Sequence, residues 1–181
     1  MKFNKNWFTL IELIIAMTIF FIIVTMTYAN YAYYQNIARV KLSLKEISQS
    51  INQTKNMALN WYDIAWINQS IWVFFQTGSN IIKFYRFNHG SWIIKPDDTY
   101  LIKEEKLQEH VIINDISWKD NMMIYFSAII WTGSMYYFDS LSTPIQYTGT
   151  WLDIGVSFKN ATNFPLKRTL QYYMNTNMID Y

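Results

Sequence analysis

The stretch FTLIELIIAMTIFFIIVTMTY, from Phe8 to Tyr28, is the longest apolar run of the chain and decides how the rest is organised. An α-helix of about 21 residues is roughly 32 Å long, enough to cross a hydrocarbon core of about 30 Å. The run is longer than the apolar region of a secretory signal, which has about 7–15 residues. No A-x-A cleavage site follows the run. We therefore expect a helix that spans a membrane and is not removed on the far side.

A short basic leader, MKFNKNW, precedes this run. Lys2 and Lys5 favour a cytoplasmic N terminus and an exported C terminus, because positively charged flanks stay on the cytoplasmic side. Arg39, Lys41 and Lys45 lie beyond the other end of the run and weaken that preference. The leader still predicts a single-pass protein with its N terminus in the cytoplasm.

Glu12 is the one charged residue between Lys5 and Arg39. A carboxylate inside a membrane helix costs up to a few kcal/mol, and such residues are usually retained for a partner. Glu12 either lies near the lipid headgroups and stays hydrated, or it meets a positive group within the membrane. Its place near the positive end of its own helix suits both interpretations.

Phe8-Thr9-Leu10-Ile11-Glu12-Leu13, after a short basic leader, resembles the prepilin cleavage and methylation motif of type IV pilins and type II secretion pseudopilins. The resemblance covers residues 1–35. It implies that a membrane aspartyl peptidase cuts between Trp7 and Phe8, and that Phe8 is then N-methylated. It also implies that Glu12 pairs with the terminal amine of a neighbouring subunit. An assembly ATPase and a platform protein would extract the subunit from the bacterial inner membrane into a filament.

Trp7 departs from this motif, since the family strongly prefers glycine immediately before the cut. The chain has 8 Trp and 5 Gly, the reverse of normal usage. Trp118, Trp131 and Trp151 also stand where a turn favours glycine. Some bacterial lineages read UGA as glycine, so two interpretations stay open. Either the domain is rich in tryptophan, or some of these positions are glycine codons translated with the wrong table.

The helix is expected to continue beyond the membrane as an amphipathic segment over residues 29–60. Apolar or small residues recur there at steps of three and four, which marks one face of a helix. They are Ile37, Val40, Leu44, Ile47, Ile51, Thr54 and Ala58. No Pro or Gly interrupts residues 8–60. We prefer packing of this stripe on its own domain, as in pilins, over a coiled-coil seam.

Residues 61–181 form the predicted β-rich head. Two apolar runs, Ile71–Gln76 and Ile81–Phe87, flank Thr77-Gly78-Ser79-Asn80 and predict a hairpin. Leu101–Glu109 is expected to be helical or a loop. Further strands are expected at Trp92–Lys95, Val111–Ile113, Met122–Phe126, Met135–Phe138, Leu152–Phe158 and Arg168–Tyr173. The predicted fold is α+β, with one long helix packed on an antiparallel β-sheet domain, and is pilin-like.

Catalytic or metal chemistry is not indicated by the remaining residues. The chain has no Cys, and His89 and His110 are not paired at the spacing of metal ligands, so both are assigned to the surface. Asp97-Asp98 lacks calcium-loop spacing, and Glu104-Glu105 is expected to be a solvated charge pair. No P-loop, nucleophile elbow or dinucleotide fingerprint occurs. We expect no enzyme, no cofactor and no metal.

Charge argues against nucleic acid as a partner. The formal net charge is +2, and no basic run accompanies the abundant aromatic residues. The expected function, which the resemblance implies, is a structural subunit of a type IV pilus-like filament. The β-rich half without a disulfide loop resembles a minor pilin or pseudopilin of the H type more than a major pilin. Two alternatives remain, a type II secretion pseudopilin and a membrane-anchored binding domain that does not polymerise.

Overall fold

The computed structural model describes residues 9–65, 69–88, 98–127, 134–138, 144–159, 161 and 166–181. The chain divides into two compact units, Met1–Ile37 and Ala38–Tyr181. The predicted cleavage residues Trp7 and Phe8 lie outside the described residues. The same holds for the strand expected at Trp92–Lys95, and for Trp131, His89 and Asp97.

One helix, α1, runs from Leu10 to Ala65. Its length of 56 residues confirms the single long helix predicted from the sequence. The absence of Pro and Gly explains why it is not interrupted, since either residue costs helix stability in the interior of a helix. By length and composition, α1 contains one segment that could cross a membrane or serve as a signal sequence.

In its described residues, the second unit contains ten strands and one short 3-10 helix at Asp98–Tyr100. The strands are β1 Gln69–Gln76, β2 Ile81–Asn88, β3 Leu101–Lys106, β4 Val111–Ile116, β5 Asn121–Ser127, β6 Ser134–Phe138, β7 Pro144–Gln146, β8 Trp151–Phe158, β9 Lys167–Tyr173 and β10 Met178–Asp180. They form two antiparallel sheets in place of the one expected. The larger has the order β3-β2-β1-β5-β6-β7, and the smaller has the order β10-β9-β8-β4.

The predicted hairpin is confirmed by β1 and β2, which pair in antiparallel register. Gly78 in the connecting turn has a φ of 81°, a conformation that residues with a Cβ rarely adopt. Ser79 N–H donates to the carbonyl of Gln76 at 3.1 Å and closes the turn. Turn chemistry in the sequence therefore located this connection correctly.

The prediction of a helix or loop over Leu101–Glu109 is wrong, because Leu101–Lys106 is strand β3. This strand lies at the edge of the larger sheet and pairs with β2. Lys83 lies opposite Glu104, and their charged groups are 3.0 Å apart. Charged side chains are common on edge strands because they discourage pairing with another chain. Here they obscured the strand pattern in the sequence.

The apolar stripe of α1 is buried within its own domain. Val40, Leu44, Ile47, Ile51 and Ala58 are at most 1% exposed and belong to the main core cluster. The cluster also takes buried residues from both sheets. Its other large members include Phe75, Phe84, Ile113, Met122, Ile154 and Tyr172. The prediction that the stripe packs on a β-sheet domain is confirmed.

Polar contacts fix the same helix segment to the edge of the larger sheet. Ser50 Oγ lies 2.8 Å from Glu105 Oε2, to which it donates a hydrogen bond. Gln108, just beyond β3, donates from its side chain to Glu46 Oε1 and from its N–H to Ser43 Oγ. These bonds compensate for burying polar groups beside an apolar core.

Candidate functional site

The start of α1 carries a reciprocal pair of hydrogen bonds between Thr9 and Glu12. The N–H and the hydroxyl of Thr9 each donate to Glu12 Oε2 at 2.9 Å, and Glu12 N–H donates to Thr9 Oγ1 at 3.3 Å. This is a capping box, in which a Thr before the helix and a Glu three residues later satisfy donors that a helix start leaves open. Glu12 therefore has a fixed position in the first turn.

The next turns of α1 expose apolar side chains on every side. All large apolar residues from Leu10 to Tyr28 are exposed, the least being Val24 at 44% and the most Leu10 at 78%. A helix that is apolar all round needs a cover of lipid or of other helices. No part of its most apolar 18-residue window is buried among the described residues.

Polar side chains in this segment are satisfied inside the helix. The hydroxyls of Thr18, Thr25 and Thr27 donate to the carbonyls of Ile14, Phe21 and Ile23 at 2.8–2.9 Å. In a hydrocarbon environment each polar group must find its partner within the protein, because water is absent. Glu12 is then the one residue in this segment that carries a charge at neutral pH, and the next basic residue along the helix is Arg39.

His110, Glu104 and Glu105, which were assigned to the surface from the sequence, lie at exposed or half-exposed positions. His110 is exposed as expected, with its imidazole 3.3 Å from the Glu109 carboxylate. The side chains of Glu104 and Glu105 are 42% and 38% exposed, which agrees with the prediction that they are solvated, and Glu105 also accepts a hydrogen bond from Ser50. Within the described part of the chain, no group of three or more His, Cys, Asp or Glu residues is placed to hold a metal ion.

A cleft of about 500 Å³ lies between α1 and the end of β3. Its polar walls include Glu46, Gln49 and Glu105. Glu46 and Glu105 already accept hydrogen bonds from Gln108 and Ser50, which join the helix to the sheet. These side chains therefore have a structural role, and the start of α1 remains the better candidate for a functional site.

Thr9 was not singled out as a functional residue from the sequence, although its signal was present. Thr followed three residues later by Glu, directly before an apolar run, is the sequence pattern of a capping box. The pattern gives Glu12 a partner within its own helix turn. The structure brings the two together and leaves Trp7 and Phe8 outside the described residues.

Comparison with known proteins gives no family for this chain. No protein-family model matches it, and neither a curated protein nor a solved structure does. The resemblance of residues 1–35 to prepilins therefore stays a prediction.

Proposed function

We propose that the chain is a minor structural subunit of a type IV pilus-like filament. In this proposal it enters the bacterial inner membrane as a single-pass protein with its N terminus in the cytoplasm. A prepilin peptidase removes residues 1–7, and Phe8 becomes the methylated first residue. An assembly ATPase and a platform protein then move the subunit from lipid into a filament beside other pilin subunits.

The observation that carries the proposal is a single acid, Glu12, at the start of the exposed and otherwise uncharged apolar segment of α1. Glu12 Oε2 is engaged by Thr9 at two distances of 2.9 Å. A carboxylate has about four acceptor sites, so a capped Glu12 can still accept hydrogen bonds from an amine. The chain end created at Phe8 would supply such an amine, and a neighbouring copy would bring it close.

Electrostatics in an apolar bundle favour this pairing. An unpaired charge is costly away from water, and two opposite charges in contact reduce each other's cost. Removing only one partner leaves the other uncompensated, with a penalty of about 3–5 kcal/mol in buried pairs. The Glu12–amine contact would thereby select the correct axial position of one subunit against the next.

Packing must supply the rest of the assembly energy. Transfer of the helix from lipid to a bundle of like helices changes its apolar contacts little, since lipid tails are as apolar as Leu. The aromatic pairs on this segment, such as Phe20 with Phe21 at a centroid distance of 6.1 Å, offer irregular surfaces for interlocking. The main core lies entirely within the unit Ala38–Tyr181, so in this proposal a subunit can pass from lipid to filament without refolding that unit.

The test compares Glu12→Ala and Glu12→Gln with the unchanged chain in the native host. Glu12→Gln keeps a side-chain oxygen for Thr9 but removes the charge, so it separates capping from ion pairing. Both variants should insert into the membrane. Both should be lost from the sheared filament fraction by roughly tenfold or more, because the penalty of about 3–5 kcal/mol exceeds the 1.4 kcal/mol that corresponds to a factor of ten. Thr18→Ala, a polar change deeper in the same apolar segment, serves as the matched control and should assemble normally.

Normal incorporation of Glu12→Ala would refute the ion-pair mechanism. A secretion pseudopilin would show the same dependence on Glu12 but would affect protein export in place of surface pili. An anchored domain that never polymerises would show no filament fraction for any variant. Scoring a knockout for pili, secretion and DNA uptake distinguishes these outcomes.

A further inference from the structure

The turn between β4 and β5 has an unusual backbone at both of its central positions. Lys119 N–H donates to the carbonyl of Ile116 at 2.8 Å, which closes a four-residue turn. The two central residues have positive φ, 46° at Ser117 and 65° at Trp118. Positive φ at both central positions is the signature of a type I′ turn, in which the second position strongly favours glycine.

This backbone is held in place from several directions. Ser117 N–H donates to the carbonyl of Asp153 at 2.9 Å, and Asp153 N–H donates back to Ser117 Oγ at 2.8 Å. Trp118 N–H donates to Asp115 Oδ1 at 3.1 Å. A sparsely populated backbone conformation persists only when surrounding contacts determine it, as these do. The position of residue 118 is therefore set by the fold and not by its side chain.

Tryptophan is poorly suited to that position. The left-handed region brings Cβ close to the following carbonyl, a cost that glycine does not bear. Among the described residues, the other non-glycine positions with positive φ are His110, Ser117 and Asn177, which are all polar, and Asn and His are enriched in this region. Trp118 is 94% exposed, so its indole gains almost no burial in return.

Trp72 provides the contrast within the same chain. It is 3% exposed and lies in a second aromatic cluster on the larger sheet. Its ring centroid is 4.7 Å from that of Tyr125 and 5.6 Å from that of Tyr136. A large aromatic side chain is required there. Of the three tryptophans whose side chains the structure describes, the fold uses Trp72 and opposes Trp118. Trp151, which was predicted at a turn, is half-exposed in strand β8 and does not show the backbone conformation of Trp118.

We infer that codon 118 is UGA and is read as glycine in the native organism, so that the natural turn is Ser-Gly. Composition supports this independently. The 8 Trp and 5 Gly together are about 7% of 181 residues, which is the average share of glycine alone. The inference does not rest on the proposed function, because it uses only the geometry of the head. An exposed indole that anchors a partner protein is the competing explanation.

The test is to sequence codons 118 and 72 in the gene. The protein is also purified from its own organism and digested with trypsin, and the mass of the peptide from Leu107 to Lys119 is measured. We expect UGA at codon 118, UGG at codon 72, and a peptide mass that corresponds to glycine at position 118. UGG at codon 118 would overturn the inference. A UGA codon with a tryptophan-containing peptide would overturn it too, since the codon would then be read as tryptophan. Either result would support the anchoring indole.

Discussion

Shortening Leu44 to Ala is a quantitative test of how α1 packs on the head. Leu44 is 1% exposed and belongs to the main core cluster. Leu→Ala in a core costs about 2–5 kcal/mol, because transfer energy is lost and a cavity remains. For a chain of this size, 1 kcal/mol shifts Tm by about 2–4 °C. We expect Leu44→Ala to lower Tm by about 4–20 °C.

Leu42→Ala is the matched control, two residues away on the same helix. Leu42 is 46% exposed, and surface substitutions usually change the free energy of unfolding by no more than about 0.5 kcal/mol. Both variants gain the same helix propensity from Ala, so that contribution cancels in their comparison. The assay is thermal unfolding of the full chain in detergent, followed by near-ultraviolet circular dichroism. Equal losses in the two variants would refute the packing of this face against the sheets.

Three further predictions concern other parts of the chain. Burial raises the pKa of Tyr172 above its ordinary value of about 10. The stability that the neutral phenol contributes should therefore be fully present below about pH 10 and decrease as the pH rises above it. Tyr172→Phe should reduce that decrease in denaturation curves measured across about pH 9–11. In recombinant protein made with tryptophan at position 118, Trp118→Gly should raise Tm by about 2–8 °C through relief of about 1–2 kcal/mol of backbone strain, whereas Trp118→Ala, which keeps a Cβ, should not. Loss of the cap in Thr9→Val should speed amide exchange at Glu12 about fivefold, since a cap contributes about 1 kcal/mol, and Thr9→Ser should restore slow exchange.

Sequence periodicity predicted the long helix and most strands because those elements bury one face. The stripe that includes Val40, Leu44 and Ile51 is buried where expected. Strand β3 was missed because it lies at a sheet edge and presents charged side chains, as Lys103 and Glu104 illustrate. Short edge strands such as β7, with three residues, are too brief for an alternating pattern to be recognised.

Division into two sheets could not be predicted from the strands alone. It depends on which strands pair across the chain, such as β1 with β5 and β4 with β8. Each of these pairs joins residues that are distant in sequence, and local patterns carry no information on them. A bulge between Ile113 and Asp115 also shifts the register of β4. Such irregularities follow from packing and have no simple sequence signal.

The candidate site was predictable in part. Glu12 could be identified because it is the one acid in a long apolar run, where a charged residue is rare and costly. The hydrogen bonds from Thr9 follow from the capping-box spacing of Thr9 and Glu12, which is a signal for a helix start and not for a membrane segment. The proposed pairing with a neighbouring amine would involve a second molecule and a new chain end, so its geometry is not contained in one subunit.

The N-terminal residue of the protein in its own membrane is the most direct test of the proposed function. Intact-mass and peptide measurements on the membrane and filament fractions would identify it. We predict a chain that begins at Phe8 with a methylated amine, since only cleavage there creates the positive group that Glu12 is proposed to meet. A mature protein that still begins at Met1 would contradict the proposal.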